Sequence, residues 1–525
     1  MANEPCFLAV DLGTSGCKTA IVSLSGRVLG WEFQEVPLKV LPNGGAEQDP
    51  RDWWNAFLFT SRRLLSKGLV EADSIQAVCC STQGEGTVAV DRNGNALMNC
   101  VLWMDMRGAK ALKQITSGFP EVAGYGATKL AQWINLTGGA PSLTGKDPAA
   151  HMLFIRDEFP EIYAATYKFL NVLDYMNLCL SGRFVATPDS ILTSWVTDNR
   201  DSANVKYSAA LIKNSGIDAE KFPEIVPCNS IVGELKAEVA ETLGLKAGVK
   251  VVAGAIDTTS AAIGSGAVGD YEGHLYIGTS SWMATHVPFK KTDIVSSLAS
   301  VPCAIPSKYL MIIMQTTAGG NLTFLRDKIL YHKDELMREE HVPDVYKVMD
   351  RIAARVPAGS NGVIYTPWLY GERSPIEDGN VRASIFNLSL ENSREDIIRA
   401  FLEGVALNTR WMLDPAEKFL GRKFESLNFV GGGAKSSIWC QIFADVMNLN
   451  IRRVKDPIEV NAKGAAFIAA EALGMLKFEE LRDHVEIETE FTPNPANRAI
   501  YDNIFAEFVT YYNQTKGIYK RLNGK

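Results

Sequence analysis

The chain has 525 residues, of which 46% are hydrophobic and 22% charged, and its formal net charge at pH 7 is -7. The length predicts about two to four domains, and the negative charge, without a dense run of Lys and Arg, argues against a nucleic-acid surface. No apolar run approaches the roughly 20 residues that span a bilayer, and the first residues lack the pattern of a signal peptide. We therefore expect a cytoplasmic protein that binds small molecules and neither nucleic acid nor membranes.

The first predicted element is a hairpin over residues 7–22, FLAVDLGTSGCKTAIV, in which two β-prone runs flank a polar glycine turn. Gly13 allows a ligand to approach the backbone closely, while Thr14 and Ser15 offer hydrogen-bond donors. Asp11 would repel a phosphate directly, so it suits this turn if a cation such as Mg²⁺ lies between them. The turn is therefore a candidate phosphate site, and an ordinary hairpin turn is the alternative interpretation.

Two polar segments follow in the first third of the chain. Glu85, in the run STQGEGT, is predicted to emerge at the end of a strand, where a carboxylate can accept hydrogen bonds from vicinal hydroxyl groups. The segment VLWMDMR places the face of Trp103 beside Asp105 and Arg107, which suits a polyhydroxylated ligand with an apolar side. The alternatives are an exposed loop acid for Glu85 and an internal salt bridge for the Asp–Arg pair.

An apolar strand, VKVVAGAI at 249–256, stops at Asp257, and a helix of small residues follows it. A carboxylate in this position suits a general base, which takes the proton from a hydroxyl as that hydroxyl attacks a γ-phosphoryl group. Partial burial would raise its pKa toward a useful value. A helix N-cap aspartate is the alternative. We place the domain boundary at this strand, which predicts domains at residues 1–254 and 255–525.

The pattern of strand, glycine turn and strand recurs in HLYIGTSSWMATHV at 274–287, with Gly278, Thr279 and Ser280 at the tip. Two similar hairpins so far apart in the chain predict two related domains whose turns face each other across a nucleotide. A third glycine turn, at 431–434, follows an apolar strand and precedes a helix, whose free amides favour an anion or a ribose.

These motifs, in this order, resemble those of FGGY-type carbohydrate kinases, in particular the xylulokinase-like branch, from about Phe7 to about Gly474. The resemblance implies an α/β fold of two actin-like (ribonuclease H-like) ATPase domains with an interdomain cleft, and ATP and Mg²⁺ as the cofactors. It implies Asp11 as the residue nearest the metal. It also implies a set of nucleotide-binding residues: Gly13, Thr14, Ser15, Lys18, Gly278, Thr279, Ser280, Gly319, Gly432, Gly433, Ala434 and Ser437.

In this family the general base lies where this chain has Asp257, and the residues around the acceptor correspond to Glu85, Trp103, Asp105, Arg107, Asp257 and Thr258. The chain departs from the xylulokinase pattern at Gly84-Glu85, where that branch has Met-His, and at His151, where a lysine is usual. A segment at 367–375 resembles the family's Gly-Glu-Arg segment at the domain interface. There Glu372 and Arg373 are predicted to form an internal ion pair or to contact a ligand.

The resemblance implies ATP-dependent phosphorylation of a hydroxyl of a small sugar, with a ketopentose such as xylulose as the first expectation. The missing Met-His pair leaves other acceptors open, polyols and sugar acids among them: glycerol, erythritol, ribulose and gluconate. Two rivals perform no sugar chemistry, an actin- or chaperone-like ATPase and a sugar-binding regulator that has kept the fold. The polar set around Glu85 and Asp257 argues against the first, and the intact phosphate turns argue against the second. The expected partners are the sugar, ATP and a second copy of the chain in a homodimer.

Overall fold

The computed structural model describes residues 4–330 and 344–524. Its first part is built on a six-stranded sheet. On one side of the strand carrying the first glycine turn lie two strands parallel to it, and on the other side two strands continue the sheet by successive antiparallel pairing. In spatial order the strands are Ile231–Glu234, Lys250–Ile256, Ile75–Thr82, Cys6–Gly13, Gly16–Ser23 and Val28–Glu35. We call this the N-terminal sheet.

A second sheet, of eight strands, repeats this arrangement around the second glycine turn. Its spatial order is Thr292–Asp293, Leu298–Pro302, Tyr309–Gln315, Ser281–Val287, Gly273–Ile277, Ser426–Val430, Asn450–Val454 and Ile487–Phe491. We call it the C-terminal sheet. In both sheets the first strand of the hairpin pairs in parallel with a later strand, and an antiparallel strand follows at the far edge. The repeated topology confirms the prediction of two related α/β halves.

Helices cover both faces of the two sheets, and several begin where local signals predict a helix. Asp49 caps the first long helix by accepting from the Arg51 amide, with Pro50 as its first residue, and Ser393 and Asp396 form the capping box of the longest one. The main helices are Pro50–Leu65, Ala109–Thr116, Ala127–Thr137, Pro148–Glu158, Pro160–Ala165, Val172–Ser181, Ala209–Ser215, Ala237–Leu243, Asp257–Gly264, Gly319–Phe324, Val345–Ala353, Arg394–Leu420, Ser437–Met447, Val460–Ala472 and Arg498–Asn523.

One hydrophobic core is shared between the two halves. The helix Val460–Ala472, which belongs to the second half of the chain, packs against the N-terminal sheet and crosses the helix Asp257–Gly264. The crossing is a contact of backbones, because a Cβ added at Gly464 would lie 2.0 Å from the carbonyl oxygen of Ser260. The two sheets are therefore joined by a helix pair whose first member begins at Asp257.

The C-terminal helix Arg498–Asn523 packs Phe508 and Tyr512 against Trp368 and Trp411, which makes it part of the scaffold of the second half. Across residues 4–330 and 344–524, the helices are all too short or too polar to cross a membrane. The division of the chain at residues 254 and 255 stays a prediction. The helix pair around Asp257 and Gly464 joins the two parts on either side of it.

Candidate active site

The first glycine turn lies at the end of the strand Cys6–Gly13 and is held from behind by side chains of its own half. A Cβ added at Gly13 would meet nothing within 4 Å, so the space in front of this backbone is open. The Thr14 hydroxyl donates to Gln83 Oε1 (2.6 Å) and accepts from Trp103 Nε1 (3.0 Å), while Gln48 Nε2 donates to the Thr14 carbonyl (2.8 Å). Trp103, predicted to contact the acceptor, is thus attached to the turn predicted to bind phosphate.

Asp11 lies two residues before Gly13 and is reached from the far end of the chain. Asn461 Nδ2 donates to Asp11 Oδ1 (3.2 Å) across 450 residues of sequence, and Asn461 is only 6% exposed. Lys18 is the cross-strand neighbour of Asp11, and its Nζ donates to the carbonyl oxygen of Ile458 (2.5 Å). Lys18, predicted to bind the nucleotide, therefore connects the hairpin to the residues just before the helix Val460–Ala472.

Asp11 also fits the predicted metal. Mg²⁺ is usually bound by one or two carboxylates together with water and substrate phosphates, rather than by an all-protein cage. Within the described part of the chain, no group of three or more His, Cys, Asp or Glu side chains could hold a metal ion. A half-buried carboxylate beside an open glycine turn provides the first of these ligand types and leaves room for the others.

Asp257 is the first residue of the helix Asp257–Gly264 and is half-buried. Its Oδ1 accepts from the Thr258 amide (2.7 Å). Burial, followed by the negative charge of Asp11, raises the pKa of Asp257 to about 7. Burial also raises the pKa of Tyr276, two residues before Gly278, and the charges of Asp11 and Asp257 raise it further. The structure therefore brings together the predicted metal residue, the predicted base and the strand end of the second turn.

The N-cap alternative for Asp257 is wrong, because the cap position is Ile256, which provides no capping side chain. A residue from elsewhere takes this role. Asp189 Oδ2 accepts from the Ile256 amide (2.9 Å) and from the Thr259 hydroxyl (2.5 Å). Sequence reasoning missed Asp189, since it precedes Ile256 by 67 residues and no local spacing links them.

Glu85 lies near enough to Asp257 for the charge of Asp257 to act on it, and we call this region around Asp257 and Glu85 the mouth of the site. The backbone of Glu85 is left-handed, with φ of 61°, a conformation that non-glycine residues seldom adopt. Burial, together with the negative charge of Asp147, raises the pKa of Glu85 to about 7, and the charges of Arg373 and Lys146 oppose this rise. Backbone strain with a perturbed carboxyl is typical of a functional site. The arrangement therefore favours the site role of Glu85 over the exposed loop acid.

Two cations that sequence reasoning did not assign to the acceptor also face this mouth. Lys146 comes from the first half of the chain, and its Nζ lies 5.6 Å from the centre of the Tyr370 ring of the second half. Arg373 is exposed, and its charge acts on both Glu85 and Asp147. The predicted ion pair between Glu372 and Arg373 is wrong. Glu372 instead accepts from the backbone amides of Thr316 and Arg373 and from Asn408 Nδ2 (2.6 Å).

Asp105 and Arg107 form the internal salt bridge that was the alternative to a ligand site. Asp105 is 0% exposed, accepts from the Ala46 amide (2.9 Å) and from Arg107 Nε (2.9 Å), and so cannot touch a ligand directly. Arg107 also donates to Glu47 Oε1 (2.6 Å) and lies over the Phe154 ring. The predicted acceptor contact of Asp105 is therefore corrected. The pair stabilises the loop that carries Trp103.

The second glycine turn is supported by the start of the helix Gly319–Phe324. The Gly319 amide donates to the Gly278 carbonyl (2.8 Å), and the amides of Ala318 and Gly320 donate to the Thr279 carbonyl (2.8 and 3.1 Å). A Cβ at Gly319 would lie 2.5 Å from the Gly278 oxygen, so only glycine fits there. Gly319 thus supports the turn through its amide, while Thr279 at the tip is exposed.

The third glycine turn packs against the second hairpin. Gly431 has φ of 87°, and a Cβ there would lie 2.6 Å from the Ile277 carbonyl oxygen. Gly432 is exposed with nothing within 4 Å of its Cβ direction, whereas Gly433 and Ala434 are buried. A direct side-chain contact of Ala434 with a nucleotide is therefore excluded. Ser437 is exposed, and its hydroxyl accepts from Arg453 (2.9 Å).

Comparison with known proteins shows the family of the chain. Residues 6–264 match the N-terminal domain, and residues 274–473 the C-terminal domain, of the FGGY family of carbohydrate kinases. A xylulose kinase from Staphylococcus epidermidis is 27% identical to this chain over 523 residues, which cover 97% of each protein. An autoinducer-2 kinase from Klebsiella pneumoniae is 26% identical, over 98% of this chain and 94% of the relative. A gluconokinase from Bacillus subtilis is 25% identical, over 98% of this chain and 97% of the relative.

Among solved structures, a ligand-bound xylulose kinase from Lactobacillus acidophilus superposes with a TM-score of 0.84 at 23% identity. The superposition covers 99% of this chain and 100% of that one. At this identity the likeness concerns the fold, and it confirms the predicted two-domain α/β architecture.

Proposed function

Because this chain belongs to the FGGY family of carbohydrate kinases, which transfer a phosphoryl group from ATP to a sugar, we propose that its acceptor is a ketopentose such as xylulose and that Asp257 is the general base. The observation that carries the proposal is that Asp257 begins the helix crossed by Val460–Ala472, and that Asn461 of this second helix donates to Asp11 beside the first glycine turn. An assembly ATPase, whose nucleophile is water, needs no acceptor pocket in which Glu85 and Arg373 accompany such a base.

The nucleotide would lie with its phosphates between the turns at Gly13 and Gly278 and its adenosine against the exposed Gly432. Open turn amides and the hydroxyl groups of the tips provide donors for phosphate oxygens. Lys18, Ser15 and Thr279 would contribute to the same surface. Asp11 would hold Mg²⁺ through its water shell, and the ion would neutralise charge on the transferred phosphoryl group.

Asp257 would accept the proton of the attacking hydroxyl. A base works best when its pKa lies near the working pH, and burial with the charge of Asp11 raises the pKa of Asp257 to about 7. The acceptor oxygen then bonds to the γ-phosphorus while the bond to the ADP oxygen breaks, and the proton rests on the Asp257 carboxylate. Thr258, whose amide donates to Asp257, keeps that carboxylate turned to the cleft.

The acceptor would be recognised by groups from both halves of the chain. Glu85 and Trp103 come from the first half, and Arg373 comes from the second. A sugar that bridges them would draw the halves together and exclude water from the phosphoryl group. The buried pair Asp105–Arg107 would act on the acceptor only through the position of Trp103.

A sugar acid is the second candidate acceptor. Lys146 and Arg373 face the same mouth as Glu85, and two cations there favour an acceptor with a carboxylate, such as gluconate. The gluconokinase of Bacillus subtilis is among the relatives named above. The carboxyl groups of Glu85, Asp147 and Asp257 lie beside the same cations, which is why the neutral ketopentose remains the first candidate.

An assay of ADP release over a panel of pentuloses, polyols and aldonates tests the proposal. We expect xylulose or another pentulose to give the highest kcat/KM. A higher value for an aldonate would establish the sugar-acid candidate instead. If no acceptor raised ADP release above a slow basal ATP hydrolysis, the assembly-ATPase rival would replace both.

Three further expectations remain proposals. The domain boundary near residue 254 would be tested by limited proteolysis with and without nucleotide. A homodimer would be tested by the molar mass in solution. A cytoplasmic location follows from the need for ATP as a substrate and would be tested by cell fractionation.

A further inference from the structure

The loop that follows the short strand Val185–Ala186 contributes a buried carboxylate to the start of the helix carrying Asp257. We infer that Asp189 is a positioning residue for phosphoryl transfer, which fixes the strand-to-helix turn on both sides of Asp257. The inference rests on the proposed role of Asp257 as the base. Asp189 would touch neither the sugar nor the nucleotide and would act through Asp257.

Asp189 accepts hydrogen bonds from this turn at two points, and we call this pair of bonds the grip. Its Oδ2 accepts from the amide of Ile256, the residue before Asp257, and from the hydroxyl of Thr259, two residues after it (2.9 and 2.5 Å). Its Oδ1 accepts from the Thr187 hydroxyl (2.6 Å) and from Cys228 Sγ (3.4 Å). Asp189 is 3% exposed, so all four contacts are sheltered from water. Both carboxylate oxygens are therefore used, and the side chain has one orientation.

The grip replaces a cap that the helix lacks. Ile256 cannot cap the helix with its own side chain, and the first amides of a helix need an acceptor. Because Asp189 supplies it from another part of the fold, the Asp257 carboxylate is presented to the cleft by a turn that cannot rotate freely. A misplacement of about 1 Å at a reacting group can cost about 100-fold in rate.

Asp189 also contributes charge. The charges that act on Asp257 are those of Asp11 from the first hairpin and Asp189 from its loop. Asp257 in turn acts on Glu85, from the strand-end run, and on Tyr276, from the second hairpin. Burial and Asp11 raise the pKa of Asp257 most, and Asp189 adds to the rise. Removal of the Asp189 charge would therefore make Asp257 easier to ionise, which lowers its pKa.

The substitution Asp189→Asn tests both effects at constant size. In the variant one of the two oxygens becomes an NH₂ group, which donates and cannot accept. The bonds from Ile256 and Thr259 to Oδ2 and the bond from Thr187 to Oδ1 can then not all persist, and those that do lose the carboxylate charge, so the turn loosens. We expect kcat to fall about 10–100-fold, and the acidic limb of the kcat/KM profile to move to lower pH. Thr259→Ser, which keeps the hydroxyl, should retain activity near that of the wild type.

Asp396→Asn is the matched control. Asp396 is also a buried aspartate at a helix start, where it accepts from the Ser393 amide (2.7 Å) in the capping box of the helix Arg394–Leu420. Its loss should lower thermal stability without moving the pH profile. If Asp189→Asn behaved in the same way, with kcat and the acidic limb unchanged, the inference would be overturned.

Hydrogen exchange separates this inference from the proposed function. In Asp189→Asn, the amides of residues 257–264 should exchange faster, while those of the helix Arg394–Leu420 should not change. This measurement needs no substrate, so a wild-type enzyme that phosphorylated nothing in the panel would overturn the proposed function and leave the exchange result to decide on Asp189. Unchanged exchange over 257–264 would refute the grip itself.

Discussion

The two glycine turns occupy the same place in the strand arrangement that the two sheets share, yet they differ two residues before the glycine. The first hairpin has Asp11 there, paired across the strands with Lys18. The second has Tyr276, paired with Trp282, and the two rings stack with centroids 3.8 Å apart and planes 3° from parallel. One repeat thus carries a charged pair at its turn, and the other carries an aromatic pair.

We expect this difference to give the two glycine turns separate roles, although they share one strand–turn–strand structure. Backbone donors at both turns suit phosphate, but Mg²⁺ prefers a carboxylate ligand, which Asp11 offers and the neutral hydroxyl of Tyr276 does not. The stacked rings pack directly against the second turn, since a Cβ at Gly278 would lie 2.6 Å from the Tyr276 ring. Asp257, the proposed base, lies on the connection between the two repeats. The charge of Asp11 raises its pKa, and both charges raise the pKa of Tyr276.

The strongest test of this division is the loss of the base. Asp257→Asn removes the proton acceptor without changing size or either turn, so kcat should fall about 10²–10⁴-fold. ADP affinity, measured by calorimetry, should stay near the wild-type value because neither repeat has changed. A fall in kcat of less than about tenfold would remove Asp257 from the mechanism.

The second test substitutes the two equivalent positions, Asp11 and Tyr276, one at a time. Asp11→Asn should weaken Mg²⁺-dependent ADP binding by about 10–100-fold, since an oxygen ligand of full charge is lost. Tyr276→Phe keeps the ring stack and removes only a hydroxyl, so it should leave the same titration nearly unchanged. Calorimetry of ADP over a range of Mg²⁺ concentrations checks both. Equal weakening by the two substitutions would show that the repeats share the cation.

The third test concerns the glycines. Gly278→Ala should cost about 1–3 kcal/mol, because its Cβ would clash with the Tyr276 ring. Gly13→Ala meets nothing within 4 Å, so its cost should stay within about 0.5 kcal/mol, while its methyl group enters the space proposed for phosphate and weakens ADP binding. Thermal unfolding and calorimetry separate the two. Similar losses of stability would mean that the two turns are packed alike.

The smallest expected effect is the dependence on pH. In the proposed mechanism the deprotonated form of Asp257 is the active one, so kcat/KM should rise with pH up to about 7, to which burial and Asp11 raise the pKa of Asp257. The stability effect has the opposite sign. The folded pKa is raised, so the folded state keeps a proton that the unfolded chain releases above its ordinary pKa of about 3.9. The contribution of Asp257 to stability is therefore lost as pH rises through about 7.

Comparison of Asp257→Asn with the wild type measures this term directly. The variant should gain thermal stability relative to the wild type between pH 4.5 and 7.5, by roughly 1 kcal/mol after solvent screening. The pKa of Glu85 is also raised to about 7, so the contribution of Glu85 to stability changes over the same pH range and should remain in the variant. A constant difference across this range would contradict the raised pKa of Asp257.

Much of the scaffold could be predicted because its signals are local. A glycine turn between two β-prone runs specifies a hairpin within about a dozen residues, and Ser393 with Asp396 specifies a helix start within four. The position of Asp257 at the end of a strand follows from the sequence for the same reason. The sequence does not decide between a ligand site and a salt bridge for Asp105 and Arg107, because that choice depends on Glu47, far away in sequence.

The sequence by itself determined the two hairpins, their order and the presence of a carboxylate at the start of the connecting helix, since turn chemistry and strand periodicity act over a few residues. Only the tertiary structure decided which distant groups reach that carboxylate and its neighbour Asp11. Asp189 and Asn461 arrive there through sheet pairing and helix packing. Such contacts depend on the burial of whole layers, which no short segment of sequence encodes.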